Sequence, residues 1–243
     1  MRKILITNDD GINADGLIRL AKSASKLGKV WVVAPHEQKS AASHTVTLRN
    51  HLDLYPVAFP VENVIAYSCS GMPVDCVRVG ILNIIGEKPD VILSGINLGY
   101  NAASDIQYSA TAGAAFEGVF QGIPSIALSE GFTEIHETTD RYLDELLSEY
   151  IDYDYIPGHI ININFPGCKL SECKGILRNR TVSEGMFFKD TYDLKENLPN
   201  GGMRLMIHGT PTYSAEEGTD FKALLDNYVS VGYVNNIGYA IKR

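Results

Sequence analysis

Asn8-Asp9-Asp10-Gly11 is the segment of the 243-residue chain best suited to chemistry. It follows Lys3-Ile4-Leu5-Ile6-Thr7, a short run of β-forming residues that reads as a buried strand. Two adjacent carboxylates at a strand end repel one another unless a cation sits between them. Successive side chains on a strand point to opposite faces. Both aspartates therefore reach one ion only where the backbone turns, and Gly11 permits that turn. The plain alternative is a capping turn, because Asp and Asn are common ahead of helices. Three further places supply hard oxygen and a seat for an anion. Ser40 offers a hydroxyl in the loop after the second strand, and Asn97 offers a carboxamide beyond the strand that ends at Ser94. Ser109 and Thr111 open a helix, where free amides and the helix dipole suit an anion. Oxygen ligands of this kind suit Mg²⁺ or Mn²⁺, and no His or Cys pair has zinc spacing. An all-oxygen metal site facing a phosphate seat means phosphoryl chemistry.

The elements that must position these residues alternate. Leu17, Leu20, Ala21, Ala24 and Leu27 follow helical spacing, with Gly28 placed as a C-terminal cap. Val30 to Ala34 is a second buried strand, ended by Pro35, and a polar loop runs from His36 to His44. Short extended pieces are expected around Val46–Leu48, Leu52–Tyr55 and Val64–Tyr67. Pro73 opens a helix with Val74, Val77, Ile81 and Ile85 inward. Val91 to Ser94 is a strand, Ala110 to about Gln121 a small-residue helix, and Ile126 to Leu128 another strand. Continuous apolar strands separated by helices imply a doubly wound, mainly parallel sheet covered on both faces, a Rossmann-like α/β fold. In such sheets ligands bind beyond the carboxyl ends of the strands, which is where the polar motifs fall. The rest adds a helix over Asp140–Tyr150, a strand Ile160–Phe165 whose asparagines share one face, a helix near Phe221–Asn227 and a strand Tyr228–Val234. Residues of about 178–207 carry Gly, Asn and Pro with exposed-looking Met186, Phe187, Phe188 and Tyr192. They read as an extended hairpin arm on a single domain spanning 1–243, packing on another subunit.

Composition narrows the classes. At 45% hydrophobic and 21% charged residues the chain is an ordinary globular domain. Its net charge of −8, with no basic cluster, argues against duplex nucleic acid as a partner. No apolar run is long enough for a membrane helix, and Met1-Arg2-Lys3 with a short apolar run lacks the pattern of a signal peptide, so a cytoplasmic location is expected. Cys69, Cys76, Cys168 and Cys173 read as free thiols. The chain has no G-x-x-x-x-G-K-[ST], no G-x-G-x-x-G after the first strand, no H-E-x-x-H and no G-x-S-x-G. These absences count against P-loop nucleotide triphosphatases, dinucleotide enzymes, zinc proteases and α/β hydrolases. His36 and His44 flank the Ser40 loop and read as solvated loop residues.

The ordered set of motifs resembles the SurE (survival protein E) family of metal-dependent nucleoside-monophosphate phosphatases. The opening strand with N-D-D-G stands as Ile4 to Gly11, A-P-x-x-x-x-S-x as Ala34 to Ala41, G-x-P-x-D-C as Gly71 to Cys76 and S-G-x-N-x-G as Ser94 to Gly99. The Y-S-G-T segment aligns with Tyr108 to Thr111, N-x-N-x-P with Asn162 to Pro166 and G-T-D with Gly218 to Asp220. The resemblance covers nearly the full chain. It implies one divalent cation per subunit, Mg²⁺ or Mn²⁺, held by Asp9, Asp10, Ser40 and Asn97. It implies Asp9, Asp10 and Asn97 as catalytic residues and a substrate set of Asn8, Asn97, Asn101, Ser109, Ala110 and Thr111. The implied activity is hydrolysis of nucleoside 5′-monophosphates, with 3′-nucleotides and short polyphosphate as further substrates in relatives. It also implies an arm exchanged between subunits of a homodimer or homotetramer. The chain departs at Leu98, where the family usually has Arg, at Ala110, which replaces Gly, and at Met72, which replaces a more usual Thr. Two other classes fit the same residues: a Mn²⁺-dependent nucleotide-sugar transferase, and a non-catalytic nucleotide-binding module.

Overall fold

The computed structural model describes residues 1–236. The chain runs β1 (Lys3–Thr7), α1 (Asp15–Ala24), β2 (Lys29–Pro35), β3 (Leu54–Val57), β4 (Ile65–Cys69), α2 (Pro73–Val79), β5 (Val91–Leu98), α3 (Ala110–Phe120), β6 (Ser125–Glu130), α4 (Glu137–Tyr150) and β7 (His159–Phe165). It closes with β8 (Ile176–Leu177), β9 (Phe188–Asn197), β10 (Met203–Pro211), α5 (Asp220–Leu225) and β11 (Val229–Asn235). Nine strands form one sheet in the order β3-β4-β2-β1-β5-β6-β7-β11-β8. The six from β4 to β7 in that order run parallel, while β3 at one edge and β11 with β8 at the other run opposite. The expected mainly parallel α/β sheet is the fold observed.

Alternation along β1 shows why its apolar run is continuous. Ile4 and Ile6 pack into the cluster that takes in Leu17, Leu20 and Ala21 of α1 and Leu143, Leu146 and Leu147 of α4. Leu5, between them, packs on the other face with Cys76 and Val77 of α2. Both faces are buried, so no polar residue fits in the strand interior. After β1 the chain builds outward through β2 to β4, then crosses back and lays β5 on the other side of β1. The carboxyl ends of β1 and β5 therefore flank the topological switch point, where a doubly wound sheet opens a crevice.

Several local expectations shift. The helix begun at Pro73 leaves α geometry after Val79 for a wide π-helical turn over Gly80–Ile85; Val74, Val77 and Ile81 are still buried. The first helix ends at Ala24, short of Gly28, and Pro35 closes β2 as its last residue. Residues 46–48 form no strand, because the outer edge of β4 is already paired with β3. Near the C-terminus β9 and β10 make a separate antiparallel ribbon, paired from Phe188 with Pro211 to Asn197 with Met203, with one register shift between Arg204 and Leu205, and nearly every side chain is exposed. Phe187, expected to be exposed, is instead part-buried between Tyr100 and Phe221, and so fixes the base of the ribbon to the domain. All four cysteines are free thiols. No helix among the described residues is long and apolar enough to cross a membrane.

Candidate active site

The turn after β1 is built by Asn8. Its side-chain amide donates to Gly11 O at 3.0 Å and its Oδ1 accepts Gly11 N at 3.2 Å, bridging the two aspartates between them. Gly11 adopts φ +103°, a conformation an L side chain would strain. Asn8 is fully buried, so its side chain shapes the turn from beneath. A backbone turn therefore stands where the sequence requires one if both aspartates are to reach one ion.

Asp9 is 3% exposed, and its Oδ1 accepts a 2.6 Å hydrogen bond from Thr111 Oγ1 on the first turn of α3. Its Oδ2 accepts no hydrogen bond among the described residues, and Asp9 lines a cleft of about 550 Å³. Burial pushes the carboxyl up to about 6, against the Thr111 hydrogen bond, and the neighbouring Asp10 adds to the rise. Asp10 is half-buried. Its Oδ2 accepts Leu98 N at 3.0 Å and its Oδ1 meets Gln38 Nε2 at 3.4 Å. Burial raises its carboxyl as well. Asp10 borders an adjoining hollow with Gln38 and Leu98, and Leu98 lines the cleft of Asp9 as well.

Ser40, Asn97, Asn101 and Ser109 line the same cleft as Asp9. Ser40 sits in the irregular loop after β2, drawn in by Lys39 N donating to Asp9 O at 2.7 Å and by Gln38 Nε2 donating to Ser40 Oγ at 3.0 Å. Asn97 is re-aimed by a register irregularity in the β5–β6 pairing between Ser94 and Asn97. Its Nδ2 donates to Gly99 O at 2.8 Å, while its Oδ1 meets no partner among the described residues. Ser109 caps α3, accepting Ala112 N at 2.9 Å. The amides of Ala110 and Thr111 meet no acceptor among the described residues, the state in which a helix start receives an anion. Ala110 and Thr111 are fully buried and neither lines the cleft, and the Thr111 hydroxyl serves Asp9.

Asn101 is held by side chains that local sequence motifs only hinted at. Asn164 Oδ1 accepts Asn101 N at 2.9 Å, and Nδ2 of both Asn162 and Asn164 donates to Asn101 O, at 2.8 and 3.1 Å. The shared strand face of those two asparagines was the legible signal. The outer wall of the cleft had no local signal for its place there. It is formed by Asp105 and the exposed ring of Tyr108 with Phe188, Asp190 and Tyr192 of the ribbon, brought together only by the tertiary fold. Burial raises the Asp105 carboxyl, and Asp190 adds to that.

The donor set suits a hard divalent cation. A deeply buried carboxylate with one free oxygen lies beside a serine hydroxyl and an asparagine carboxamide with a free oxygen. Among the described residues no three His, Cys, Asp or Glu side chains converge on one point.

Residues 4–187 match the family model described as survival protein SurE. The chain is 42% identical over 232 residues to the 5′-nucleotidase SurE of Thermosipho africanus, covering 94% of this chain and 89% of that protein. It is 38% identical to the 5′-nucleotidase SurE of Thermosipho melanesiensis, with the same coverage, and 35% identical to that of Alkaliphilus metalliredigens, covering 94% and 91%. Among solved structures, the SurE protein from Aquifex aeolicus superposes with a TM-score of 0.81 at 32% identity, over 96% of this chain and 93% of that one.

Proposed function

The chain belongs to the survival protein SurE family, and from that premise we propose that it is a 5′-nucleotidase, a metal-dependent phosphomonoesterase that releases phosphate from nucleoside 5′-monophosphates. The observation that supports this most is that buried Asp9, with one free carboxylate oxygen, and Ser109, the N-cap that opens α3, line one cleft at the switch point. One is a seat for positive charge and the other for a phosphate.

Asp9, Asp10, Ser40 and Asn97 would hold one divalent cation, Mg²⁺ or Mn²⁺. When bound, the cation neutralises the phosphoryl oxygens and polarises phosphorus toward attack. The Ala110 and Thr111 amides, the Ser109 hydroxyl and Asn97 then receive the phosphoryl oxygens and stabilise charge that grows in the transition state. Asp9 would orient or deprotonate the attacking water. Thr111 fixes Asp9 Oδ1 and leaves Oδ2 for that work. Tyr108, Phe188 and Tyr192 offer aromatic surface to the nucleoside.

The ribbon supports assembly of the chain into a homodimer or homotetramer. Two strands alone are marginal in water. This pair exposes Leu194, Met203, Leu205, Met206 and Ile207, each about half or more, apolar surface that a second copy would cover. A cytoplasmic location fits a nucleoside-monophosphate substrate.

The test of substrate class is phosphate release from a panel of nucleoside 5′- and 3′-monophosphates, sugar phosphates and short polyphosphate. Faster release from 5′-nucleotides than from sugar phosphates supports the reading. Equal rates across the panel refute it.

A further inference from the structure

The loop that carries Ser40 joins β2 to β3 without regular structure. Two of its non-glycine residues, Ala41 (φ +56°) and Ser43 (φ +51°), adopt left-handed conformations. Such conformations persist only where surrounding contacts hold them. Those contacts converge on α3. Gly113 lets the loop lie against the helix, because a Cβ there would stand 2.5 Å from Ser43 O. One turn on, Glu117 Oε2 lies 3.1 Å from His44 Nε2, and the His44 ring stacks on Phe120 at 5.3 Å and 17°. Glu117 is 1% exposed. Its Oε1 accepts Arg78 Nε and Gln121 Nε2, both at 2.8 Å. Burial alone would raise this carboxyl, but the bonds from His44, Arg78 and Gln121 outweigh it and bring it to about 2. Glu117 is thus a fixed charge on a rigid helix. The same helix supplies Thr111 to Asp9. Ser40 and Asp9, which come from loops far apart in sequence, are therefore both referenced to α3.

We propose that His44 is a positioning residue that, through Glu117, holds the Ser40 loop in the conformation that presents Ser40 to the cleft. This rests on the assignment of Ser40 as a cation ligand. His44 does not line the cleft of Asp9. Other tethers remain without it, namely Ser43 N to Tyr108 O, Ser43 Oγ to Gln107 O and Lys39 N to Asp9 O. The expected loss is therefore partial.

The experiment compares wild type, His44→Ala and His44→Gln, whose amide can still donate to Glu117. Each is read by Mn²⁺ titration, by hydrogen exchange at the Ser43 amide and by steady-state kinetics at saturating metal. His44→Ala should weaken Mn²⁺ binding about tenfold, the lower end for an outer-shell partner. It should speed Ser43 exchange about tenfold and raise KM, while kcat stays within about threefold. His44→Gln should recover most of each loss. Unchanged Ser43 exchange and unchanged Mn²⁺ affinity in folded His44→Ala overturn the proposal. If that variant does not fold, Phe120→Leu, at a half-exposed position, carries the same readouts with a smaller shift expected and no shift overturning. A wild type that binds no Mn²⁺ refutes Ser40 as a cation ligand instead, and Ser43 exchange still decides whether His44 holds the loop.

Discussion

Replacing Asp9 with asparagine should stabilise the metal-free protein while abolishing its chemistry. Burial lifts the Asp9 carboxyl from 3.8 to about 6. The folded protein therefore holds a proton between those values that the unfolded chain has lost, and stability falls as pH rises through that window. Two units correspond to about 3 kcal/mol, fully present above pH 6 and absent below about pH 4. Asparagine is neutral, nearly the same shape, and keeps an Oδ1 to accept the Thr111 hydroxyl. Asp9→Asn should therefore gain about 2–3 kcal/mol at pH 8 and nothing at pH 4. At about 2–4 °C per kcal/mol for a chain of this size, the melting temperature should rise by about 5–10 °C. Urea denaturation of metal-stripped protein at several pH values measures this directly. Adding Mn²⁺ should stabilise wild type and leave the variant unmoved, because the ligand that couples binding to folding is gone. A variant no more stable than wild type at pH 8 would refute the reasoning. Asp9 would then carry no buried charge in the folded protein, and neither a cation seat nor a raised base could be built on it.

Glu117 should behave in the opposite sense. Its folded value near 2 lies below the ordinary 4.5, so its stabilising contribution is complete above about pH 4.5 and lost as pH falls toward 2. Glu117→Gln should cost about 2 kcal/mol at pH 7 and flatten the acid limb of an unfolding curve. Asn164→Leu strands the buried N–H and weakens the acceptor partnership of Asn101, so it should cost about 3 kcal/mol in denaturant unfolding and raise KM for nucleotide. Deleting residues 189–210 should lower the oligomeric mass by light scattering and leave the circular dichroism of the domain intact. An unchanged mass would refute the role of the ribbon in assembly.

The layout of the sheet was legible because both faces of its central strands are buried, which forces the unbroken apolar runs of β1, β2 and β5. The ends of those strands were legible for the complementary reason: polar clusters such as Asn8 to Gly11 interrupt the pattern abruptly. Side-chain roles were harder to read, since they depend on partners distant in sequence. Thr111 was expected to face phosphate, yet its hydroxyl serves Asp9, 102 positions away. Asn8 looked like part of the substrate surface, yet a turn of three residues consumes both ends of its amide. His44 read as a solvated loop residue because nothing local reveals Glu117 and Phe120 beneath it. Phe188 and Tyr192 were legible as apolar residues of an arm, but nothing local placed them on the cleft wall. Their position follows from Phe187 docking between Tyr100 and Phe221.

The most direct test is phosphate release from a nucleoside 5′-monophosphate by metal-stripped protein, before and after addition of Mg²⁺ or Mn²⁺, beside Asp9→Asn and Asp10→Asn. The expected result is no release without metal, restoration in wild type, and at least a hundredfold lower rate in both variants at saturating metal, of the order seen when a charge-stabilising group is lost from an active site. Release that persists without metal, or that survives in Asp9→Asn, would contradict the assignment of the chemistry to the turn after β1.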